Sequence, residues 1–180
     1  MSRVPLVDPN AASDSKPLLD QITSAFGATP AMFRAVANSP AALQMMWAGF
    51  GALGTGKIGA KLGEQIAVLV ADRNACEYCL AAHTMLGKKA GVSAEEMSEA
   101  QAGRSPDPRT AAALQFAEIL VTDRAQVRDA DIEALRTVGF DDEEIVELIA
   151  HVALNLFTNY INVALAVPVD FPSVRLLKAA

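Results

Sequence analysis

The sequence predicts an all-α fold of about seven to nine helices. Ala and Leu dominate an apolar complement of 52%, whereas aromatics amount to only 6%; this balance favours helix over strand. No segment shows the period-two alternation of a half-buried strand. Helical patterns recur instead, separated by short Gly, Ser-Pro and Asp-Pro breakers.

Residues 1 to about 15 read as a loosely held arm, and residues 16–180 as a single helical domain. "SKPLLDQITSAF" forms the first helix and stops at Gly27. Pro30 is placed for the first turn of a helix through Val36, and Ser39-Pro40 opens the next, "PAALQMMWAGFGAL". "AKLGEQIAVLVAD" follows, then residues 74 to about 91, with Asn74 as the expected N-cap and Glu77 as its capping-box partner. "SAEEMSEAQ" is short. Asp107 caps "PRTAAALQFAEILVT", "DADIEALRT" comes next, and a long helix runs from 141 to about 167.

A chain of 180 residues can bury one sizeable core. Its net charge is −6, with acids and bases interspersed and no basic cluster, which excludes a nucleic-acid partner. The N-terminal residues lack the apolar run of a signal peptide. The most apolar tract, residues 149–169, carries Asn155, Asn159 and Asn162 and suits a buried helix better than a membrane span. A cytoplasmic protein without a membrane partner is expected. In that reducing compartment, neighbouring cysteines point to redox or metal chemistry rather than a structural staple.

Two glycine motifs are decoys. "GFGALG" matches a dinucleotide fingerprint and "GALGTGK" the start of a phosphate loop, but the preceding residues read as helix, not strand. Ile58 also stands where a magnesium-binding hydroxyl is needed. No cofactor is called for.

The chain has two cysteines and two histidines, and three of these four lie in "NACEYCLAAH", residues 74–83. Cys76, Cys79 and His83 fall at roughly 0°, 300° and 340° on a helical wheel, on one face. Cysteines in a first turn meet unpaired N–H groups and the positive end of the macrodipole, which favour thiolate. Cys79 and His83 form an i, i+4 pair within proton-transfer reach. A metal half-site lacks a second pair of ligands, and a plain core role remains open.

Glu64, eleven residues, then Cys76-x-x-Cys79-x-x-x-His83 resembles the signature of the AhpD-like branch of the carboxymuconolactone decarboxylase superfamily. "FTNYINVALAVPVDFP" is similar to the carboxy-terminal segment of its peroxidase-related members, and the resemblance spans about residues 40–172. It implies a helical fold assembled as a homo-oligomer, a trimer or a hexamer built as a trimer of dimers. It also implies reduction of organic hydroperoxides, with Cys79 as attacking thiolate and Cys76 as resolving thiol. His83 would be the base, completed by Glu64, and the disulfide would be reduced by an external dithiol of lipoyl or thioredoxin type. Characterised alkylhydroperoxidases carry a second His directly before the second cysteine. Here Tyr78 takes that place as a possible auxiliary hydrogen-bond donor. The alternatives are a decarboxylase-type lyase and a redox-sensing oligomer without turnover.

Elsewhere, His151 reads as a core or interface histidine, and Met45, Met46, Trp47 and Phe50 as core or subunit contacts. Asn155, Asn159 and Tyr160 require partners if buried, and Asp170 reads as a turn residue.

Overall fold

The computed structural model describes residues 2–177. Within them the chain forms nine helices: α1 (Lys16–Phe26), α2 (Ala31–Val36), α3 (Pro40–Leu53), α4 (Gly59–Arg73), α5 (Glu77–Lys89), α6 (Ala94–Gln101), α7 (Pro108–Thr122), α8 (Asp129–Thr137) and α9 (Asp142–Ala164). No strand occurs among the described residues.

Most boundaries follow local chemistry. The side chains of Ser39, Ser93, Asp107 and Asp141 each accept from a backbone N–H of the helix that follows. Ser93–Glu96 and Asp141–Glu144 complete reciprocal capping boxes. Pro40 and Pro108 occupy first turns, where their missing N–H costs nothing.

Helix α4 is the hub. Every residue from Gln65 to Asp72 is buried, and such all-round burial marks a helix enclosed by others. It packs against α5, α6, α7 and α9. Arg73, at its end, meets Glu118 of α7 through Nε at 2.8 Å and Asp72 through a terminal nitrogen at 2.9 Å. Asp72 in turn accepts from Gln101 of α6 at 2.8 Å. Among the described residues no helix is long and apolar enough to cross a membrane.

The glycine decoys lie in α3 and the loop after it. The loop amides of Lys57 and Ile58 both donate to Glu147 of α9, at 2.7 and 3.1 Å. A carboxylate of the chain thus takes the N–H groups that a phosphate would need.

The N-terminal segment, expected to be loosely held, is non-helical, and its residues 3–7 are bonded to or packed on the rest of the domain. Arg3 N–H donates to the Leu165 carbonyl at 2.7 Å, Val7 N–H to Arg34 at 3.1 Å, and Asn38 to Pro5 at 2.8 Å. Val4, Leu6 and Val7 pack on the core. Its apolar residues give it a purchase that the absence of helical periodicity concealed.

Candidate functional site

The turn between α4 and α5 sets the site. Asn74 does not cap α5, contrary to its sequence-based reading; it finishes α4. Its amide donates to Val70 O at 2.8 Å and to Asn159 Oδ1 of α9 at 3.1 Å. Ala75 then takes a left-handed conformation, φ 52°, which turns the chain so that the Cys76 N–H bonds back to Ala71 O at 2.9 Å. Cys76 is the N-cap: its sulfur accepts from the Cys79 N–H at 3.4 Å. The start of α5 is two residues later than expected, because Asn74 serves the preceding helix and its neighbour α9. Both thiols remain at a helix N-terminus.

Around them the structure gathers Glu64, Cys76, Cys79 and His83. Both cysteines are buried free thiols. His83 Nδ1 lies 2.7 Å from Glu64 Oε2, which joins α5 to α4. Burial opposes protonation of His83, but the charge and hydrogen bond of Glu64, helped by Cys79, prevail and raise its pKa. The two thiols are driven apart. A hydrogen bond between the Cys76 and Cys79 side chains lowers the pKa of Cys79 and raises that of Cys76. Burial opposes ionisation of both, while the positive charge of His83 and the Asn162 amide favour a Cys79 thiolate. Such environments favour thiolate at Cys79 and the protonated thiol at Cys76.

Asn162 was not singled out as a site residue by sequence reasoning. Its Nδ2 donates to Cys79 Sγ at 3.1 Å, from 83 residues away. Asn159 is fully buried one turn earlier, and among the described residues its Nδ2 has no partner, like Oδ1 of Asn162. The available signal was the spacing of Asn155, Asn159 and Asn162, a polar stripe on an otherwise apolar helix. Asn155 closes back on His151 O at 2.9 Å, whereas Tyr160 is exposed.

Cys79, His83 and Glu64 open onto a cavity of about 240 Å³ whose walls include Phe33, Trp47, Phe50 and Phe171. Phe33 and Trp47 meet edge-on with ring centres 6.0 Å apart. Trp47 and Phe50, read from sequence as core or interface, therefore face the thiol site. Tyr78 also lines the cavity, but its hydroxyl donates to Asp170 Oδ2 at 2.9 Å and accepts from the Met32 N–H at 3.3 Å. Burial, first, and then the Asp170 charge keep this phenol protonated. Asp170 is no turn residue: besides Tyr78, it accepts from the Ala31 N–H, tying the C-terminal segment to α2 and α5.

Residues 40–122 match the model of the carboxymuconolactone decarboxylase family. A peroxidase-related protein from Ralstonia eutropha JMP134 with an alkylhydroperoxidase AhpD core has the same fold, with TM-score 0.78 and 26% identity over 94% of this chain and 92% of its own. Residues 40–122 are thus similar to the carboxymuconolactone decarboxylase family, and the chain shares the fold of an AhpD-core protein. A peroxidase-related protein from Silicibacter sp. TM1040 superposes with TM-score 0.82 at 24% identity, covering 93% and 91% of the two chains. The debrominase Bmp8 shares the fold too, with TM-score 0.77, 22% identity and 94% of each chain covered; a cysteine-to-alanine variant of Bmp8 is known in complex with 2,3,4-tribromopyrrole. No curated protein matches the chain.

The matched segment contains Glu64, both cysteines and His83, while Asn162 and Phe171 lie beyond it. His151 lines a second cavity, of about 180 Å³, on which Glu64 and His83 also border. Its Nε2 is buried without a partner among the described residues, and burial lowers its pKa against the opposing charges of Glu147 and Glu64.

Proposed function

We propose that the protein is a thiol-dependent peroxidase that reduces apolar organic hydroperoxides. The observation that carries this reading is the array of Glu64, His83 and Cys79 at the wall of an aromatic cavity, with Cys76 next to Cys79. Cys79 thiolate attacks the terminal oxygen of the hydroperoxide and the O–O bond breaks. The leaving alkoxide takes a proton from the His83 imidazolium and departs as the alcohol. Cys79 is then a sulfenic acid. The Cys76 sulfur attacks it, the S–S bond forms, and the released hydroxide takes the Cys76 proton to leave as water. Glu64 orients His83 and holds its proton. An external dithiol returns the disulfide to two thiols.

Reduced protein treated with cumene hydroperoxide should lose two thiols per hydroperoxide consumed, and Cys79→Ser should lose this activity. Peroxide consumption by Cys79→Ser at the rate of the parent would sink the mechanism.

The aromatic walls favour a second reading, reductive dehalogenation of a halogenated aromatic, the class that the debrominase name describes. The same dithiol balances it: one aryl bromide and two thiols give the arene, hydrogen bromide and a disulfide. Bromide release from tribromopyrrole, without consumption of cumene hydroperoxide, would select this reading over the first.

A further inference from the structure

Cys79 and Cys76 border different cavities. Cys79 lines the aromatic one, and Cys76 does not. Cys76 instead lines a separate cavity of about 180 Å³ between the start of α5 and the end of α9, which Cys79 does not reach. Val163, Val167 and Val169 give this second space apolar walls, and Glu77 stands beside it. Asn162 also lines it; this residue is only 4% exposed, and its Oδ1 has no hydrogen-bond partner among the described residues.

We propose that this cavity is the entrance for the reductant, a small neutral aliphatic dithiol that attacks the Cys76 sulfur of the Cys76–Cys79 disulfide. This rests on the dithiol–disulfide cycle proposed above. The apolar walls suit an alkyl chain, and the carboxylate of Glu77 disfavours anionic thiols. Unpartnered Asn162 Oδ1 offers an acceptor for the incoming S–H.

The exchange proceeds in two displacements. A thiolate of the donor bonds to Cys76 Sγ, the Cys76–Cys79 bond breaks, and its electron pair leaves on Cys79 as thiolate. The second thiol of the donor then attacks the donor sulfur of the mixed disulfide. This closes a cyclic disulfide and releases Cys76, which takes up one of the two donor protons; the other goes to His83 or solvent. The direction of cleavage agrees with thiol chemistry, because the Asn162 amide and the charge of His83 favour a thiolate at Cys79, and the sulfur better stabilised as thiolate leaves faster. Substrate and reductant would thus approach opposite sulfurs and need not compete for one opening.

The test starts from protein oxidised with diamide, so that it does not depend on peroxide turnover. Val163→Trp and Val169→Trp, at half-exposed positions of the cavity, should each slow reduction by dithiothreitol about tenfold. Ala82→Leu, on the wall of the aromatic cavity, should leave that rate within twofold. Brief exposure of the oxidised protein to one equivalent of 2-mercaptoethanol, stopped with excess iodoacetamide, should put the mercaptoethanol adduct on Cys76 and the alkyl group on Cys79, as read by tandem mass spectrometry. Reduction at the parental rate in both tryptophan variants, or an adduct on Cys79, would overturn the inference alone. Failure of diamide to produce the Cys76–Cys79 disulfide would overturn the dithiol cycle as well.

Discussion

Asn162, in the last two turns of α9, donates its side-chain N–H to the sulfur of Cys79 at 3.1 Å. The bond crosses from the C-terminal helix to the dithiol helix and is buried on both sides. A hydrogen bond to a charged partner is worth about 1.5–3 kcal/mol. Asn162→Ala should therefore slow alkylation of Cys79 by iodoacetamide at pH 6.5 by about tenfold. Asn162→Asp, which sets a carboxylate against the thiolate, should slow it further. Unchanged rates in both variants would remove Asn162 from the site.

The pH dependence follows from the opposed shifts of Cys79 and His83. Cys79 is lowered to about 6, chiefly by the Cys76 hydrogen bond and, against burial, by His83 and Asn162; His83 is raised by Glu64 against its burial. A thiol reacts as thiolate, so the alkylation rate should climb through about pH 6, well below the usual cysteine range of about 8.5. Glu64→Gln removes the charge that holds the His83 proton. His83 then deprotonates at lower pH, Cys79 loses its cationic neighbour, and the midpoint should move upward. Iodoacetamide kinetics from pH 4.5 to 9 check this, and a midpoint that stays in place would refute the coupling.

Tyr78 is a strut by its hydrogen bonds: the hydroxyl joins Asp170 and the backbone of Met32. Tyr78→Phe should leave the thiol oxidation rate within about threefold. It should also cost about 1–3 kcal/mol of stability, because the buried partners lose a hydrogen bond. Thermal unfolding and stopped-flow oxidation, measured on the same variant, separate this from a chemical role. A hundredfold loss of rate at unchanged Tm would make Tyr78 an acid–base group.

The aromatic walls should matter for bulky substrates and not for hydrogen peroxide. Trp47 lines the cavity and is held by Gln21 through its indole N–H at 3.0 Å. Trp47→Ala should lower kcat/KM for cumene hydroperoxide by about tenfold, the scale of losing part of a large apolar contact. The rate with hydrogen peroxide should stay within about twofold. Equal losses for both substrates would mean that the substitution disturbs the site rather than its selectivity.

Local patterns carried the helices and half of the site. Caps at Ser39, Ser93, Asp107 and Asp141 act within four residues of themselves, so their effect is readable along the chain. The shared face of Cys76, Cys79 and His83 follows from helical pitch alone. Even here the boundary moved: Asn74 has both an N-cap's chemistry and a helix-ender's, and only its contact with Asn159 decides between them.

An all-helical chain with a dithiol and an imidazole on one face of a helix, and a carboxylate upstream, could be read along the chain, and the resemblance already singled out Cys79 as the thiolate. Helix packing set the electrostatic difference between the two sulfurs and the cavity that each one meets. It also placed an Asn from α9 against Cys79, brought Phe171 and Trp47 beside it, and turned Asp170 into an anchor for Tyr78. The reason is physical: a helix repeat orders neighbours three and four residues apart, whereas burial, charge and hydrogen bonding at a sulfur depend on side chains that meet only when distant helices pack.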